Sequence, residues 1–104
     1  MDSSLKKIQE WYGQQCNGMW EHSWGVRIDT TDNPGWVVEI DLDQTIYEDE
    51  KWDLFFMNES DQNWIRCIKD CRTFRGAGDP SKLEEILDYF LGKISKSIES
   101  APAD

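Results

Sequence analysis

The chain has 104 residues and a formal net charge of -10, from 21 acidic and 11 basic side chains. This length supports one domain with a single core, and so acidic a surface repels nucleic acid and anionic lipid and favours a basic partner. No segment approaches the ~20 apolar residues of a membrane span, and the start lacks the apolar core of a signal peptide, so we predict a cytoplasmic protein without nucleic-acid or membrane partners.

The first predicted element is an amphipathic helix from about Ser4 to Gln15. Apolar residues recur there at steps of three and four, which places them along one helical face. They are Leu5, Ile8, Trp11, Tyr12 and Cys16. We expect the helix to stop at Asn17 and Gly18, with the glycine in the left-handed conformation that often follows a helix.

Two segments with a period of two come next and predict an antiparallel hairpin. Their inward residues are Trp24, Val26 and Ile28 in the first strand and Trp36, Val38, Ile40 and Leu42 in the second. Pro34 fixes φ at the first central turn position, and Gly35 accepts the positive φ that a type II turn requires at the second. We therefore predict a type II turn over residues 33–36.

Three more strands are predicted at about 52–57, 63–68 and 73–75, where β-branched and aromatic residues lie between turn-forming residues. The segment G-A-G-D-P-S at 76–81 follows the last of them. We expect it to be a joint between strand and helix whose two glycines supply flexible positions.

The second predicted helix carries an apolar stripe of 3.6-residue period from Leu83 to Ile98. Its start has two alternatives, because Asp79 can cap it with Pro80 at the first helical position, or Ser81 and Glu84 can form a capping box. The final residues, S-A-P-A-D, are expected to fray.

Together these elements predict an α+β fold in the order α-β-β-β-β-β-α. An antiparallel sheet of about five strands has one apolar face, and the N-terminal and C-terminal helices can cover it. We predict a single domain over residues 1–98 and a frayed tail over residues 99–104.

The cysteines and the histidine give no metal or disulfide pattern. Cys16, Cys67 and Cys71 cannot all pair within one chain, so reduced thiols are expected, with Cys67 in the core. No Cys-x-x-Cys spacing occurs and His22 is the only histidine, so we predict no metal site and no cofactor. We expect His22 to be a hydrogen-bonded residue of a strand.

The segment C-R-T-F-R-G at 71–76 raises an enzyme hypothesis, because nearby arginines can lower a thiol pKa and help to hold an anion. It superficially resembles the active-site loop of rhodanese-type sulfurtransferases. That loop follows a parallel strand, whereas Cys71 falls at a tight antiparallel turn, so we predict no catalysis. An open cleft around Cys71 with converging backbone amides would favour the enzyme.

The six tryptophans divide into two groups. Trp11, Trp24 and Trp36 lie in phase with or beside inward faces and are expected to pack in the core. The positions of Trp20, Trp52 and Trp64 are less determined, and one of them could anchor an interface. A closed apolar pocket reached by one of these three would instead favour a module that binds a small ligand.

Seven acids lie between residues 39 and 53, against the single base Lys51. They are Glu39, Asp41, Asp43, Glu48, Asp49, Glu50 and Asp53. Such a run is either a solvated surface or a surface complementary to a basic cleft on another protein.

The chain is similar to the immunity protein 53 family, and six segments carry the resemblance. They are W-Y-G-Q-Q-C-N-G-M-W-E-H-S-W-G (11–25), D-N-P-G-W (32–36), I-D-L (40–42), N-W-I-R-C (63–67), F-R-G-A-G (74–78) and L-E-E-I-L (83–87). Members of the family are small bacterial cytoplasmic proteins predicted to neutralise toxins of polymorphic toxin systems. The resemblance implies an α+β fold and toxin binding without catalysis, and it assigns no toxin-contacting residue.

We therefore predict an immunity protein that inhibits a cognate toxin stoichiometrically, with a basic toxin surface as the partner. A cysteine-dependent sulfurtransferase and a small-ligand module are the alternatives. The predicted partner-binding residues are Asp41, Asp43, Glu48, Asp49, Glu50, Asp53, Trp20, Glu21 and His22.

Overall fold

Five antiparallel strands form one sheet, and a long helix lies across one of its faces. The computed structural model describes the backbone of residues 3–100 and the side chains of residues 3–94. The elements are α1 (Ser4–Gln15), α2 (Trp20–Ser23), β1 (Val26–Thr31), β2 (Gly35–Asp41), β3 (Phe55–Ser60), β4 (Asn63–Asp70), β5 (Thr73–Gly78) and α3 (Leu83–Ser100). The strand order is β1-β2-β5-β4-β3, so β1 and β3 are the edges. The predicted α+β fold is confirmed.

The core lies between the sheet and the helices. Alternate residues of the strands point into it, as the sequence period of two predicts. Ile40 on β2 pairs with Phe74 on β5, and Cys67 on β4 pairs with Gly76, so their side chains share one face of the sheet. Phe90 of α3 packs on Phe74 with a ring separation of 5.3 Å. These contacts remove large apolar side chains from water, which is the main favourable term for the fold.

Helix α1 has the predicted bounds. The Ser3 hydroxyl oxygen accepts a hydrogen bond from the Lys6 N–H, which caps the first turn. The hydroxyl of Ser4 donates to the carboxylate of Asp88, and this bond ties α1 to α3. Gly18 has a φ of 93°, as expected for the residue that turns the chain after the helix.

Residues 20–23 form the short helix α2, which the sequence patterns did not predict. The prediction that His22 is a strand residue was wrong, because His22 lies in this helix and is exposed. The Asn17 side chain accepts hydrogen bonds from the N–H groups of Met19 and Trp20, which starts the helical turn. The first strand consequently begins at Val26, after Trp24, which was predicted to be one of its inward residues.

Gly35, Gly76 and Gly78 are needed because neighbouring atoms leave no room for a Cβ, and not because they adopt a positive φ. The predicted type II turn was wrong, since Gly35 has no positive φ and is the first residue of β2, paired with Thr31. The predicted flexible joint was also wrong. Gly76 and Gly78 lie in β5, where an added Cβ would overlap Ile86 or approach Lys82 to 2.6 Å. Only glycine leaves room there for α3.

The start of α3 follows neither predicted capping arrangement. The Asp79 carboxylate accepts hydrogen bonds from the Ser81 N–H, the Ser81 hydroxyl and the Trp64 N–H, and it pairs with the Lys82 ammonium at 3.0 Å. Burial alone would raise the pKa of Asp79, but these partners more than offset it and lower the pKa. The helix then begins at Leu83, two residues after Ser81.

The C-terminal residues concern two predictions: that the chain end frays, and that a tail follows a single domain. Helix α3 extends to Ser100, and residues 101–104, where we expected fraying, lie outside the described residues. The division into a domain at 1–98 and a tail at 99–104 stays a prediction. Across residues 3–100, no helix has the length and hydropathy to cross a membrane.

Candidate functional site: an anchored acidic loop

The connection between β2 and β3 carries most of the predicted acidic residues, and we call residues 42–54 the acidic loop. Three buried apolar side chains hold it to the core: Leu42, Tyr47 and Trp52. The Trp52 ring lies 5.8 Å from Phe90 and 6.5 Å from Tyr47. The loop is therefore packed against the fold at both halves, unlike a solvated segment.

A lysine from the neighbouring strand organises the backbone of the acidic loop. The Lys69 ammonium, on β4, donates hydrogen bonds to the carbonyl oxygens of Glu48 at 2.8 Å and Cys71 at 3.1 Å, and to that of Glu50. Hydrogen bonds that involve a charged group are stronger than neutral ones. Lys69 thus joins the acidic loop to the turn between β4 and β5.

A cleft of about 530 Å³ opens between the acidic loop and that turn. Its walls are formed by Glu48, Asp49, Glu50, Lys51, Trp52, Asp53, Lys69, Cys71 and Arg72. Glu48 pairs with Arg72 at 3.7 Å, and the Glu50 carboxylate accepts a bond from the Trp52 indole N–H at 2.6 Å. Asp49 and Asp53 are exposed at the cleft, and neither carboxylate has an ion pair within the described part of the chain.

Cys71 lines the same cleft, together with the basic side chains of Lys69 and Arg72. It is exposed in the two-residue turn between β4 and β5, as predicted, with a φ of 58°. Beside it, the carbonyl oxygens of Glu48 and Cys71 converge on the Lys69 ammonium. The open cleft that the enzyme hypothesis requires is therefore present, and the absence of catalysis stays a prediction.

Cys67 is a core residue, as predicted. It is fully buried on β4, and burial raises the pKa of its thiol to about 12. A thiol with such a pKa is almost entirely protonated at neutral pH and therefore a poor nucleophile. Among residues 3–94, no three His, Cys, Asp or Glu side chains are placed to hold a metal ion.

The structure separates Asp41 from the other predicted acids. Asp41 ends β2 on the open face of the sheet, where Arg27 donates two hydrogen bonds to its carboxylate, each 3.0 Å long. Arg27 also bonds Glu39, and Glu39 accepts a bond from Arg75 at 2.8 Å. The hydrogen bonds from Arg27 are the largest cause of the lowered pKa of Asp41. Asp41 is thus engaged within the sheet.

The second predicted group, at residues 20–22, adjoins the start of the acidic loop. The Trp20 indole N–H donates to the carbonyl oxygen of Asp43 at 2.8 Å. Trp20 is only 2% exposed and packs on Trp11, so its ring offers almost no area to a partner in this structure. The Glu21 carboxylate accepts bonds from the N–H groups of Asn17 and Gly18, and His22 is exposed. The partner-binding role of all nine residues stays a prediction.

The other tryptophans follow the expected division in part. Trp11 is buried in the core, and Trp24 and Trp36 pack against it while partly buried. Trp52 is buried, and Trp64 is half-buried at the start of β4. An apolar hollow of about 300 Å³ lies elsewhere, between α1 and β1, and is lined by Ile8, Gln9, Tyr12, Gly25 and Val26. None of the three tryptophans named for a ligand pocket lines it.

Sequence reasoning missed two features of this region. Lys69 was not singled out, because its partners are carbonyl oxygens that the side-chain sequence does not show. The exposed residues Leu54, Phe55 and Phe56 were also missed. A signal for the last two was present, since successive residues of a strand point to opposite faces and two adjacent phenylalanines cannot both face one core.

Comparison with known proteins gives the family. No curated protein and no solved structure matches the chain. The family model described as immunity protein 53 matches residues 5–95, which is most of the 104-residue chain and agrees with the resemblance seen in the sequence. The chain therefore belongs to the immunity protein 53 family.

Proposed function

We propose that this protein binds a cognate toxin of a bacterial polymorphic toxin system in the cytoplasm and neutralises it stoichiometrically, with the acidic loop as its contact surface. The family supports an immunity role and a protein toxin as partner. The net charge of -10 favours a toxin with a basic surface. The proposed activity is inhibition by binding, without a chemical step.

The observation that carries the proposal is the anchoring of the acidic loop. Tyr47 and Trp52 fix it to the core, and Lys69 fixes its backbone, while Asp49 and Asp53 remain exposed beside the cleft. A preordered loop loses less conformational entropy on binding than a mobile one. Its carboxylates are therefore available to pair with lysine or arginine at a small ordering cost.

Two carboxylates of the cleft are proposed to contact the toxin directly, whereas the whole acidic surface attracts it from a distance. The lining holds four carboxylates and three basic side chains, so the cleft alone is nearly balanced. The Lys69 ammonium faces carbonyl oxygens, Arg72 pairs with Glu48, and Lys51 is exposed. Asp49 and Asp53, which form no ion pair among the described residues, are the carboxylates proposed to contact a basic side chain of the toxin. The whole acidic surface supplies the field that speeds encounter.

Co-expression with the toxin encoded beside this chain's gene tests the proposal. Cells that make both proteins should survive, and the two should co-elute as a stable complex of fixed stoichiometry. A parent chain that leaves cells sensitive to the toxin, or that forms no complex with it, contradicts the proposal.

A further inference from the structure

Strand β3 is an edge of the sheet whose first half lacks the charged side chains that usually protect edge strands. It pairs with β4 on one side, and no strand of the described chain lies on its other side. Edge strands present unpaired N–H and C=O groups, and proteins commonly protect them with charged side chains. Here Leu54, Phe55 and Phe56 are 53%, 41% and 57% exposed instead.

The opposite edge, β1, is protected in the usual way. Its central residues include Arg27 and Asp29, and Arg27 is ion-paired with Asp41 and Glu39 on β2. The apolar residue Ile28 lies between them and is 39% exposed. The two edges therefore differ in chemistry although both have a free backbone side.

Strand β3 carries a large apolar side chain on each face of the sheet. Phe55 lies on the helical face, where its ring stacks on Tyr89 at 5.5 Å. Phe56 pairs with Arg66 and lies on the open face. The Tyr89 hydroxyl donates to the carbonyl oxygen of Asp53 at 2.9 Å, which fixes the chain just before β3. A strand added at this edge would find apolar contacts for side chains of both orientations.

Acidic side chains bracket this apolar edge. Asp53 precedes it and Glu59 and Asp61 follow it, all exposed, and none forms an ion pair with another described residue. Two bases lie near these residues: Arg66 on β4 pairs with Phe56, and the Lys93 ammonium lies 5.3 Å from the centre of the Tyr89 ring, on which Phe55 stacks. Acids at both ends repel a second copy of this chain, whose net charge is -10, and attract a basic segment.

We propose that the free side of β3 accepts an extended, basic segment of the protein partner as a sixth strand. The identity of that partner as the toxin rests on the proposed function. Backbone hydrogen bonds supply affinity, Phe55 and Phe56 supply apolar contacts, and the flanking acids select lysine or arginine. The register shift between Asn58 and Ser60 limits regular pairing to the first part of β3. Because Asp53 belongs to the acidic loop, the two surfaces are continuous.

Amide hydrogen exchange of the full chain, with and without the toxin domain, tests this inference. The outward amides of β3 should exchange at least about tenfold more slowly in the complex, because they gain hydrogen-bond partners. The amides of β1 should exchange at the same rate in both states. Unchanged β3 exchange in a complex that does form overturns the strand addition and leaves the proposed function intact.

A pair of edge variants supplies a second readout. Phe56→Lys places a charge in the proposed contact. Ile28→Lys also replaces a partly exposed apolar side chain by lysine, on the helical face of the opposite edge. Both variants should fold. Phe56→Lys should weaken toxin binding about tenfold or more, and Ile28→Lys should leave it unchanged. Equal affinities for the two variants overturn the inference.

If the parent chain forms no complex with the toxin, the proposed function fails, and a synthetic peptide of alternating lysine and valine then tests the edge alone. Chemical-shift changes confined to residues 54–61 on titration support strand addition. Their absence at millimolar peptide, or equal changes with an alternating glutamate and valine peptide, overturns it. A dimer of the free chain with protected β3 amides also overturns it, since the occupant is then a second copy.

Discussion

Gly35 lies so close to the carbonyl oxygen of Gly78 that a Cβ at position 35 would overlap that oxygen. The contact joins the start of β2 to the end of β5, beside the pair formed by Trp36 and Gly78. The Trp36 indole N–H donates to the carbonyl oxygen of Pro80 at 2.9 Å, just beyond the same strand end. This corner of the sheet is therefore closed by backbone contact, and glycine is required for space.

Replacing Gly35 by alanine should lower the free energy of unfolding by roughly 1 to 3 kcal/mol, because a backbone atom must move to admit the methyl group. Gly13→Ala is the matched control. It lies in α1 with no atom within 4 Å of an added Cβ, and should raise stability by about 0.5 to 1 kcal/mol. Chemical denaturation of both variants measures the difference. Equal stability changes would show that Gly35 is not crowded.

The Arg27–Asp41 pair predicts a pH dependence of stability. Arg27 lowers the folded-state pKa of Asp41 below the unfolded value of about 3.9, so its contribution is present above that pH and is lost as the pH falls through the folded pKa. At pH 7, Asp41→Asn should cost about 1 kcal/mol, since the half-exposed Arg27 is screened by water. The cost should shrink below about pH 4.

Urea denaturation from pH 7 to pH 2.5 measures this difference, and Asp32→Asn is its control. Asp32 is an exposed residue of the β1–β2 turn, and its carboxylate forms no ion pair with any described residue. The Asp32→Asn variant should match the stability of the parent at pH 7, because exposed charges contribute little to stability. An Asp41→Asn deficit that stays constant across the range would mean that the charge of Asp41 contributes nothing.

Lys69 should hold the acidic loop in place. Lys69→Met keeps the length of the side chain but removes the donor to three carbonyl oxygens, and should lower the free energy of unfolding by about 1 to 3 kcal/mol. The amides of residues 48–52 should also exchange faster. Lys51→Met removes an exposed lysine of the same loop and should change neither quantity. Similar behaviour of the two variants would contradict the role given to Lys69.

The three thiols should differ in reactivity. Cys71 is exposed and should be alkylated first in the native protein, whereas Cys67 should react only after unfolding because it is buried and its pKa is raised to about 12. Mass spectrometry of iodoacetamide-treated protein distinguishes the sites. Cys71→Ala should protect cells from the toxin as well as the parent chain does. Loss of protection by a normally stable Cys71→Ala variant would support the enzyme hypothesis.

Local periodicity was enough to predict α1, α3 and the sheet, but not the short helix α2. The stripes of α1 and α3 depend on residues three or four apart, so the bounds of α1 and the phase of α3 followed from the sequence. The inward set of β2, including Val38 and Ile40, followed from the period of two. Predicting these features requires no knowledge of which distant residues pack against them.

Features that depend on distant partners could not be predicted in this way. Gly35 and Gly76 were assigned to a turn and a joint, because the atom that would lie nearest to an added Cβ belongs to a residue ten or more positions away in each case. The pairing of Arg27 with Asp41 depends on strand register, and the binding of Lys69 to loop carbonyls depends on the path of the loop. The acidic run was visible in sequence, but its anchoring was not.

If the acidic loop is the contact surface for the toxin, reversing its exposed charges should slow association with the toxin. The test variant combines Asp49→Lys and Asp53→Lys, and the control combines Glu10→Lys and Asp32→Lys. All four residues are exposed, and the two variants have the same net charge. Because exposed charges contribute little to stability, both variants should melt close to the parent.

Stopped-flow measurement of association with the toxin at several salt concentrations is the most direct test. The Asp49/Asp53 variant should associate about tenfold or more slowly than the Glu10/Asp32 variant at low salt, and the gap should narrow as ionic strength screens the charges. Equal association rates and equal salt dependence for the two variants would contradict the claim that the acidic loop binds the toxin.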